Sequence, residues 1–457
     1  MMPTMILTVL LMILASAEQP AATQPQTQPA PPGPAAVPSE EDAEFASLRK
    51  AFGNLYSSLR ARGGIADEDL EVVRSFRDRV ATFNERWPDH EQGLAMELQL
   101  SGWLKDYDRV HQVFARLAEL RADDFGVGLA WANYFVQIND RDRAEEIFAR
   151  LAELYSDNVE VRLVWVEYLR GFNQYGPAIE ILRSVAFNLT ELPRAALLLS
   201  ECLFAEHRFQ EALDVLLSIS QETRAEDVAV SQQVQAALPD RQEYVELWVQ
   251  EQEIRLAEEV ADDLPRAELI TARGRIVVEL FENEAPNTVA NFVSLAEAGF
   301  YDGSKFHRVI PNFMAQGGDP NSKPGGTGVP GKGSPGYRIP DEHDRAGARN
   351  HFTGSLAMAK TAPPHTAGCQ FYLTHTPPAR LNGNYTVFGR VIEGLEVVRS
   401  IELDDVLESV SVLRKRDHEY SPQTLPLTPT TQPALRDGSA TRPATTRPST
   451  TQPRGSG

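Results

Sequence analysis

Cysteine is nearly absent from this sequence: among 457 residues there are only Cys202 and Cys369, which lie in different parts of the chain. Neither belongs to a CxxC pair or to a group with zinc-ligand spacing, which excludes a disulfide framework. His365 lies four residues before Cys369, but no third or fourth ligand accompanies them, so we predict no metal site. We interpret both cysteines as buried or inert thiols.

Basic residues are also scarce, since 44 Lys and Arg stand against 64 Asp and Glu and give a formal net charge of -20. Such a charge repels phosphate backbones, so nucleic acid is excluded as a partner. Long apolar runs are missing too. The run from Met5 to Leu14 is shorter than the ~20 residues that a membrane helix needs, so we predict no stable membrane insertion.

The same run resembles the apolar core of a secretory signal. It is followed by Ala15-Ser16-Ala17, a small-x-small cleavage site, although no Lys or Arg precedes it. We therefore predict a signal peptide over residues 1–17 and an exported protein, periplasmic or extracellular. Residues 18–39 are rich in Pro, Gln and Thr, which indicates a disordered spacer.

Residues 40–225 have the three- and four-residue apolar spacing of helices, and they repeat. The segment 106–120 (DYDRVHQVFARLAEL) recurs as 140–154 (DRDRAEEIFARLAEL), an offset of 34 (140 − 106). The same offset relates Ala144, Ala178 and Ala212. A 34-residue helix-turn-helix period resembles the tetratricopeptide repeat, whose helix pairs stack into a solenoid with a concave groove.

The resemblance implies that the three alanines stand where the repeat family needs a small residue, so that two helices can pack closely. We interpret the aromatic side chains of the region as core between repeats; the alternative is that they contact a ligand in the groove. These side chains are Trp131, Phe135, Phe148 and Trp165. The partner of the repeats is unknown, and residues 226–265 read as a charged helical connector.

Residues 266–416 alternate short strands with Gly- and Pro-rich turns. A strand is predicted over 273–281, and short helices are predicted over 287–298 and 394–401. Many short strands with few helices favour a closed β-barrel. Residues 417–457 are rich in Pro, Thr and Ser and read as a disordered tail.

One stretch of the barrel region is distinctive: residues 306–319 read FHRVIPNFMAQGGD. Together with SLAMA at 355–359, QFY at 370–372, LNGNYTVFGRV at 381–391 and NTVANF at 287–292, it resembles the cyclophilin family in order and spacing. The resemblance covers about a third of the chain. It implies a cyclophilin-like barrel with peptidyl-prolyl cis-trans isomerase activity, behind an all-helical repeat domain.

The resemblance also implies a site. Arg308 is the expected catalytic side chain, held by Gln316. The residues expected to bind the proline-containing substrate are Phe313, Met314, Ala359, Lys360, Gln370, Tyr372, Leu381 and Tyr385. Ala359 and Lys360 are expected to act through backbone groups. Rotation about an X-Pro bond requires no nucleophile, so no cofactor or metal is expected.

The sequence departs from the family pattern at four positions. The family often has Asn at 360, Phe at 372, Trp at 380 and His at 385, where this chain has Lys360, Tyr372, Arg380 and Tyr385. The change at Arg380 concerns drug binding and the groove rim more than catalysis. Residues 325–328 are glycine-rich but lack the GK[ST] and helix of a phosphate loop, so nucleotide binding is rejected.

Two classes of function remain open. In the first, the chain is an active isomerase that assists folding of exported, proline-containing clients while the repeats recruit partners or clients. In the alternative, it is a chaperone or scaffold with little isomerase activity, in which either the barrel only binds Pro segments or the repeats alone matter.

Overall fold

The structure, a computed structural model, describes residues 39–122, 124–185 and 192–427. The predicted signal peptide, all but one residue of the predicted spacer, and residues 428–457 lie outside these ranges. No helix within the described ranges is both long and apolar enough to cross a membrane.

The chain divides into two compact units near residue 257. The first is helical, and the short segments Pro311–Phe313 and His375–Pro377 are grouped with it. The second begins at Glu258 and contains the sheets. The expected fold class, a helical solenoid followed by a cyclophilin-like β-domain with two short helices, is confirmed.

The described helical region contains helices α1 to α12 and one 3-10 turn, Asp67–Asp69. The helices, in order, are Glu40–Ala61, Leu70–Arg86, Glu91–Trp103, Tyr107–Leu120, Phe125–Gln137, Arg141–Leu154, Val159–Gly171, Tyr175–Val185, Pro193–Ala205, Phe209–Ser218, Gln221–Glu226 and Val228–Ala261.

The 34-residue period of the sequence reappears in the helix bounds. Helices α4, α6, α8 and α10 begin at residues 107, 141, 175 and 209, and helices α5, α7 and α9 begin at 125, 159 and 193. Helix α3 begins at 91, which extends the period by one step (125 − 34). Left-handed backbone recurs at the same interval, at Lys105, Asn139, Asn173 and His207. Each repeat is therefore one helix pair with the same turn geometry.

Local sequence explains where these helices begin. The Asp106 carboxylate accepts from the backbone N–H of Arg109 at 3.2 Å, and Asp140 accepts in the same way from Arg143 at 3.3 Å. An N-cap carboxylate of this kind satisfies a backbone donor that has no partner inside the helix.

The packing between helices follows the repeat. Ala144, Ala178 and Ala212 are fully buried, because small side chains allow neighbouring helices to approach closely. Trp131, Phe135 and Phe148 are buried as predicted, whereas Trp165 is only half-buried and its ring stacks on Phe148 with centroids 6.5 Å apart.

The second unit contains strands β1 to β11 and helices α13 (Pro286–Glu297) and α14 (Leu395–Ser400). The strands, in order, are Arg266–Thr271, Gly274–Leu280, Ser304–Lys305, Arg308–Ile310, Met314–Gly317, Tyr337–Arg338, Ser355–Met358, Phe371–Thr374, Val387–Glu393, Val406–Arg414 and Leu425–Pro426. The predicted strand over 273–281 and both predicted helices lie within one or two residues of these bounds.

Nine of the strands form one curled antiparallel sheet in the order β3-β10-β1-β2-β9-β7-β8-β5-β4. No ladder among the described strands joins the edge strands β3 and β4, so hydrogen bonds do not close the expected barrel. The two edges are instead consecutive in the chain and are separated only by Phe306 and His307. Buried aromatic rings pack together in this unit: Phe292 of α13 stands edge-on to Phe371 of β8 with ring centroids 5.8 Å apart.

The last turn of α12 belongs to this unit through a buried ion cluster. The Glu258 carboxylate accepts from Arg349 at 2.6 Å and from Arg390 at 2.7 Å, and Arg390 also donates to Glu279 at 2.6 Å. The side chains of Glu258 and Arg349 are only 8% and 2% exposed. The β-domain thus includes a carboxylate from residues that the sequence analysis placed in the connector.

Residues 417–427, the predicted start of the tail, are described with defined contacts. Tyr420 is buried and donates to Glu282 at 2.9 Å, and β11 pairs with β6 through Leu425 and Pro426. A third contact joins Gln423 to Asn287. The Asn287 side-chain NH2 donates to the Gln423 carbonyl, and the Gln423 backbone N–H donates to the Asn287 Oδ1. A Pro- and Thr-rich composition did not reveal these contacts, because they depend on partners far away in the sequence.

Both cysteines are buried, as the sequence analysis expected. Burial raises the pKa of the Cys202 and Cys369 thiols to about 12. Neither thiol is therefore ionised near neutral pH, and the thiolate is the reactive form of cysteine.

Candidate active site

Two adjacent strands place Arg308 and Gln316 opposite each other. In the antiparallel pair β4–β5 these residues are direct partners, and the Arg308 Nη1 donates to the Gln316 Oε1 at 3.3 Å. The Arg308 side chain is otherwise exposed to solvent. Because side chains alternate along a strand, buried Met314 lies on the same face of β5 as Gln316. The arrangement presents a fixed guanidinium beside an apolar side chain.

A second amide supports the first. The Gln316 Nε2 donates to the Gln370 Oε1 at 2.9 Å, and the Gln370 Nε2 donates to the Asp319 carboxylate at 3.1 Å and to the carbonyl of Gly333 at 3.0 Å. Gln370 thus acts through another side chain here. Sequence reasoning placed it among the substrate-binding residues and did not include Asp319.

Tyr372 forms the wall beside this row. It lies opposite Gln316 across β5 and β8 and is 4% exposed. Its hydroxyl lies 2.8 Å from the Nε2 of His351, and the Nδ1 of His351 lies 2.9 Å from the Asn382 Oδ1. Because that amide oxygen can only accept, His351 carries its proton on Nδ1 and accepts at Nε2 from Tyr372.

Burial controls the electrostatics of this pair. It lowers the pKa of His351 to about 4, and it raises the pKa of Tyr372 well above its usual value. Both side chains are therefore neutral at ordinary pH. His351 and Asn382 were missed from the sequence, although a Tyr where the family often has Phe was a signal, since a buried hydroxyl needs a partner.

The loop after β8 brings in Leu381 and Tyr385. Leu381 ends a 3-10 turn, Ala379–Leu381, and its carbonyl accepts from the backbone N–H of Tyr385 at 3.3 Å. The Tyr385 ring stands edge-on to Tyr372 with centroids 6.2 Å apart. Leu381 and Tyr385 are half-buried, so each leaves part of its surface open to a ligand.

The remaining predicted residues are placed less uniformly. Phe313 is half-buried immediately before β5, and its carbonyl accepts from the His375 N–H at 2.9 Å. The N–H of Ala359 donates to the Gln370 carbonyl at 2.9 Å. A backbone donor to a substrate at this place is therefore not the N–H of Ala359. Within the described ranges, no group of three His, Cys, Asp or Glu side chains is placed to hold a metal ion.

Comparison with known proteins decides the family. Residues 266–417 match the family described as cyclophilin type peptidyl-prolyl cis-trans isomerase/CLD. A peptidyl-prolyl cis-trans isomerase of Synechococcus elongatus is 46% identical over 152 residues, which cover 33% of this chain and 97% of that protein. The chain belongs to the cyclophilin-type peptidyl-prolyl cis-trans isomerase family.

A second curated relative agrees. Peptidyl-prolyl cis-trans isomerase B of Bacillus subtilis is 45% identical over 144 residues, covering 32% of this chain and 94% of that protein. A crystal structure of a cyclophilin type peptidyl-prolyl cis-trans isomerase from Cryptosporidium parvum is 29% identical, covers 34% of this chain and 99% of that chain, and has a TM-score of 0.30. The predicted enzyme class, a peptidyl-prolyl cis-trans isomerase, is confirmed.

The cyclophilin domain departs from the family pattern at Lys360 in a defined way. The Lys360 Nζ donates to the Asp341 carboxylate at 2.9 Å and lies 3.4 Å from the Nε2 of His343, so only 10% of the side chain is exposed. Burial raises the pKa of Asp341, but hydrogen bonds from the His365 backbone and Lys360 outweigh burial, so its pKa is lowered. The Lys360 charge is thus neutralised locally.

The other rim departure of the cyclophilin domain, Arg380, lies in the middle of the 3-10 turn and is exposed. An exposed guanidinium offers donors but no rigid apolar face at this place.

Proposed function

We propose that Arg308 lowers the barrier to rotation about X-Pro bonds by donating a hydrogen bond to the twisted amide. Amide resonance sets a barrier of ~18–20 kcal/mol, and breaking resonance leaves a pyramidal, basic nitrogen. A charge-assisted hydrogen bond contributes ~1.5–3 kcal/mol, about 10–100-fold in rate if it forms only in the transition state. The observation that supports this role is the exposed Arg308 guanidinium held at one end by Gln316.

The rest of the acceleration comes, in this proposal, from a pocket that grips the proline ring. Met314 and Tyr372 form the buried base of this pocket next to Gln316, and the half-buried Leu381 and Tyr385 form its rim. Phe313 completes the apolar set, and Lys360 contributes through its backbone. Such a pocket excludes water, which strengthens the hydrogen bond from the guanidinium.

The cellular role that we propose is assistance to the folding of exported proteins that contain proline. Its support is the apolar run from Met5 to Leu14 with the small-x-small site after it. The repeats would bind a client or partner protein through the surface that stacked helix pairs form. Uncatalysed X-Pro isomerisation takes tens to hundreds of seconds, which is slow enough to limit folding.

The test of the catalytic role is exchange of a proline peptide measured by NMR on the full chain and its Arg308→Ala variant. We expect kcat/KM to fall by roughly 10²-fold with the fold intact by circular dichroism. Arg275→Ala is the matched control, since Arg275 is another exposed arginine on a strand of the same unit. Native exchange by a folded Arg308→Ala variant would refute the assignment, whereas little catalysed exchange by the native chain itself would favour the Pro-binding scaffold.

Export needs a separate test. Residues 1–39 fused to a reporter that is active only outside the cytoplasm should yield activity, and replacing Leu10 and Leu11 by Arg should abolish it. A reporter that stays inactive with the native segment contradicts the proposed location.

A further inference from the structure

Asp319, which follows β5 by two residues, is fully buried, and the groups that donate hydrogen bonds to it are uncharged amides. Its carboxylate is satisfied entirely by N–H donors. Oδ1 accepts from the backbone of Asn321 at 2.7 Å, and Oδ2 accepts from the backbones of Gly331 and Gly333 and from the Gln370 side chain. A buried carboxylate with several such donors is a strong, directional acceptor.

These hydrogen bonds fix the orientation of each amide in a row of four side chains: Asp319, Gln370, Gln316 and Arg308. A carboxylate can only accept, so the Gln370 amide must turn its NH2 toward Asp319 and the Gly333 carbonyl. Its oxygen then faces the NH2 of Gln316, and the oxygen of Gln316 faces Arg308. A side-chain amide can form hydrogen bonds in either orientation, but the Asp319 carboxylate at the start of this row of side chains permits only one.

We propose that Asp319 is a positioning residue for the isomerase reaction: through Gln370 it fixes the amide orientation of Gln316 and thereby the place of the Arg308 guanidinium. The proposal rests on the catalytic role proposed for Arg308. It also explains why the glycine-rich loop is bound to the site, since Gly331 and Gly333 donate to the same carboxylate. A Cβ at Gly333 would lie 1.9 Å from the Asp319 Oδ1, so this approach requires glycine.

A purely structural role is the competing explanation, in which Asp319 only anchors the loop. The two explanations differ in their dependence on Gln370. If Asp319 acts through Gln370, cutting that link should make the carboxylate irrelevant to catalysis. If it only anchors the loop, its loss should have the same effect whether or not Gln370 is present. Double-mutant cycles separate these cases.

The experiment measures NMR exchange and peptide affinity for the full chain, Asp319→Asn, Gln370→Met and the double variant. We expect Asp319→Asn and Gln370→Met each to lower catalysed exchange about tenfold at saturating peptide, with peptide affinity changed less than threefold. The double variant should be no more than about twofold slower than Gln370→Met alone. Asp302→Asn, at a carboxylate that accepts a backbone N–H from Val410 elsewhere in the unit, should exchange like the native chain.

Losses that multiply in the double variant overturn the proposal, as does native exchange by a folded Asp319→Asn variant. Should Asp319→Asn not fold, Gln370→Met decides alone, since native exchange by that variant removes the link. Arg308→Ala is measured in the same series. If it exchanges like the native chain, the proposed catalytic role fails; if it is slow while the cycle is additive, only the role of Asp319 fails.

Discussion

Without the charge of Glu258 the isomerase unit should unfold far more easily, although this residue lies eight positions before the first strand. Glu258 accepts from Arg349 and Arg390, and the Arg349 side chain is 2% exposed. In Glu258→Gln the amide NH2 must face one of the two guanidinium groups, which leaves a buried cation against a donor. Breaking a buried pair in this way costs about 3–5 kcal/mol.

That cost is measurable as a shift in the urea midpoint. At a slope of about 2 kcal/mol/M, 3–5 kcal/mol corresponds to about 1.5–2.5 M. Hydrogen exchange read by mass spectrometry on peptides from 266–414 reports this unit. All tryptophans of the chain lie in the helical unit, between Trp87 and Trp248, so tryptophan fluorescence reports the other unit in the same sample.

The matched control is Glu393→Gln, which removes the carboxylate of a glutamate–arginine ion pair in the same unit. Glu393 and its partner Arg275 are 61% and 48% exposed, so the pair contributes at most about 1 kcal/mol. If the two variants shift the midpoint of the 266–414 peptides equally, the buried cluster does not stabilise the domain as we argue.

Three further outcomes are expected. Since burial holds the pKa of His351 at about 4, below its ordinary 6.5, the unfolded state binds more protons between these values and stability is lost as pH falls from 6.5 to 4. The loss is ~3 kcal/mol, and it should shrink in His351→Gln when urea midpoints at pH 7 and 4.5 are compared; an unchanged pH dependence contradicts it. Tyr372→Phe should cost ~1–3 kcal/mol by leaving the His351 Nε2 without its donor, while NMR exchange changes less than threefold; an unaltered urea midpoint would argue against the bond. Cyclosporin should inhibit the native chain weakly and Arg380→Trp more strongly, because an arginine lacks the apolar face that the family's indole packs on the drug; equal inhibition in one activity titration would show that position 380 is not decisive.

Much of the fold was predictable because its determinants are local or periodic. The offset of 34 fixes the helix starts at Tyr107, Arg141 and Tyr175, and alternation with Gly and Pro locates the strand that begins at Gly274. The blocks around Arg308 and Gln316 identified the family.

The remaining features depend on partners that are distant in sequence. Glu258 looks like one more solvated charge on a helix, since its arginine partners lie 91 and 132 residues away. His351 lacks any local pattern, because its contacts to Tyr372 and Asn382 form only when three separate segments meet. The burial of polar residues is therefore harder to predict than the burial of apolar residues, whose regular spacing in the sequence indicates the buried face.

The recurrence of a helix pair and a left-handed turn every 34 residues limits how the helical unit can change in length. Deleting one residue inside a helix rotates everything after it by about 100°, which would turn a buried position such as Ala144 or Ala178 out of the interface. Adding or removing 34 residues preserves every face and every turn. This domain can therefore grow or shrink only by whole helix pairs. Intermediate lengths would leave a solenoid in which the packing faces of neighbouring helices no longer match.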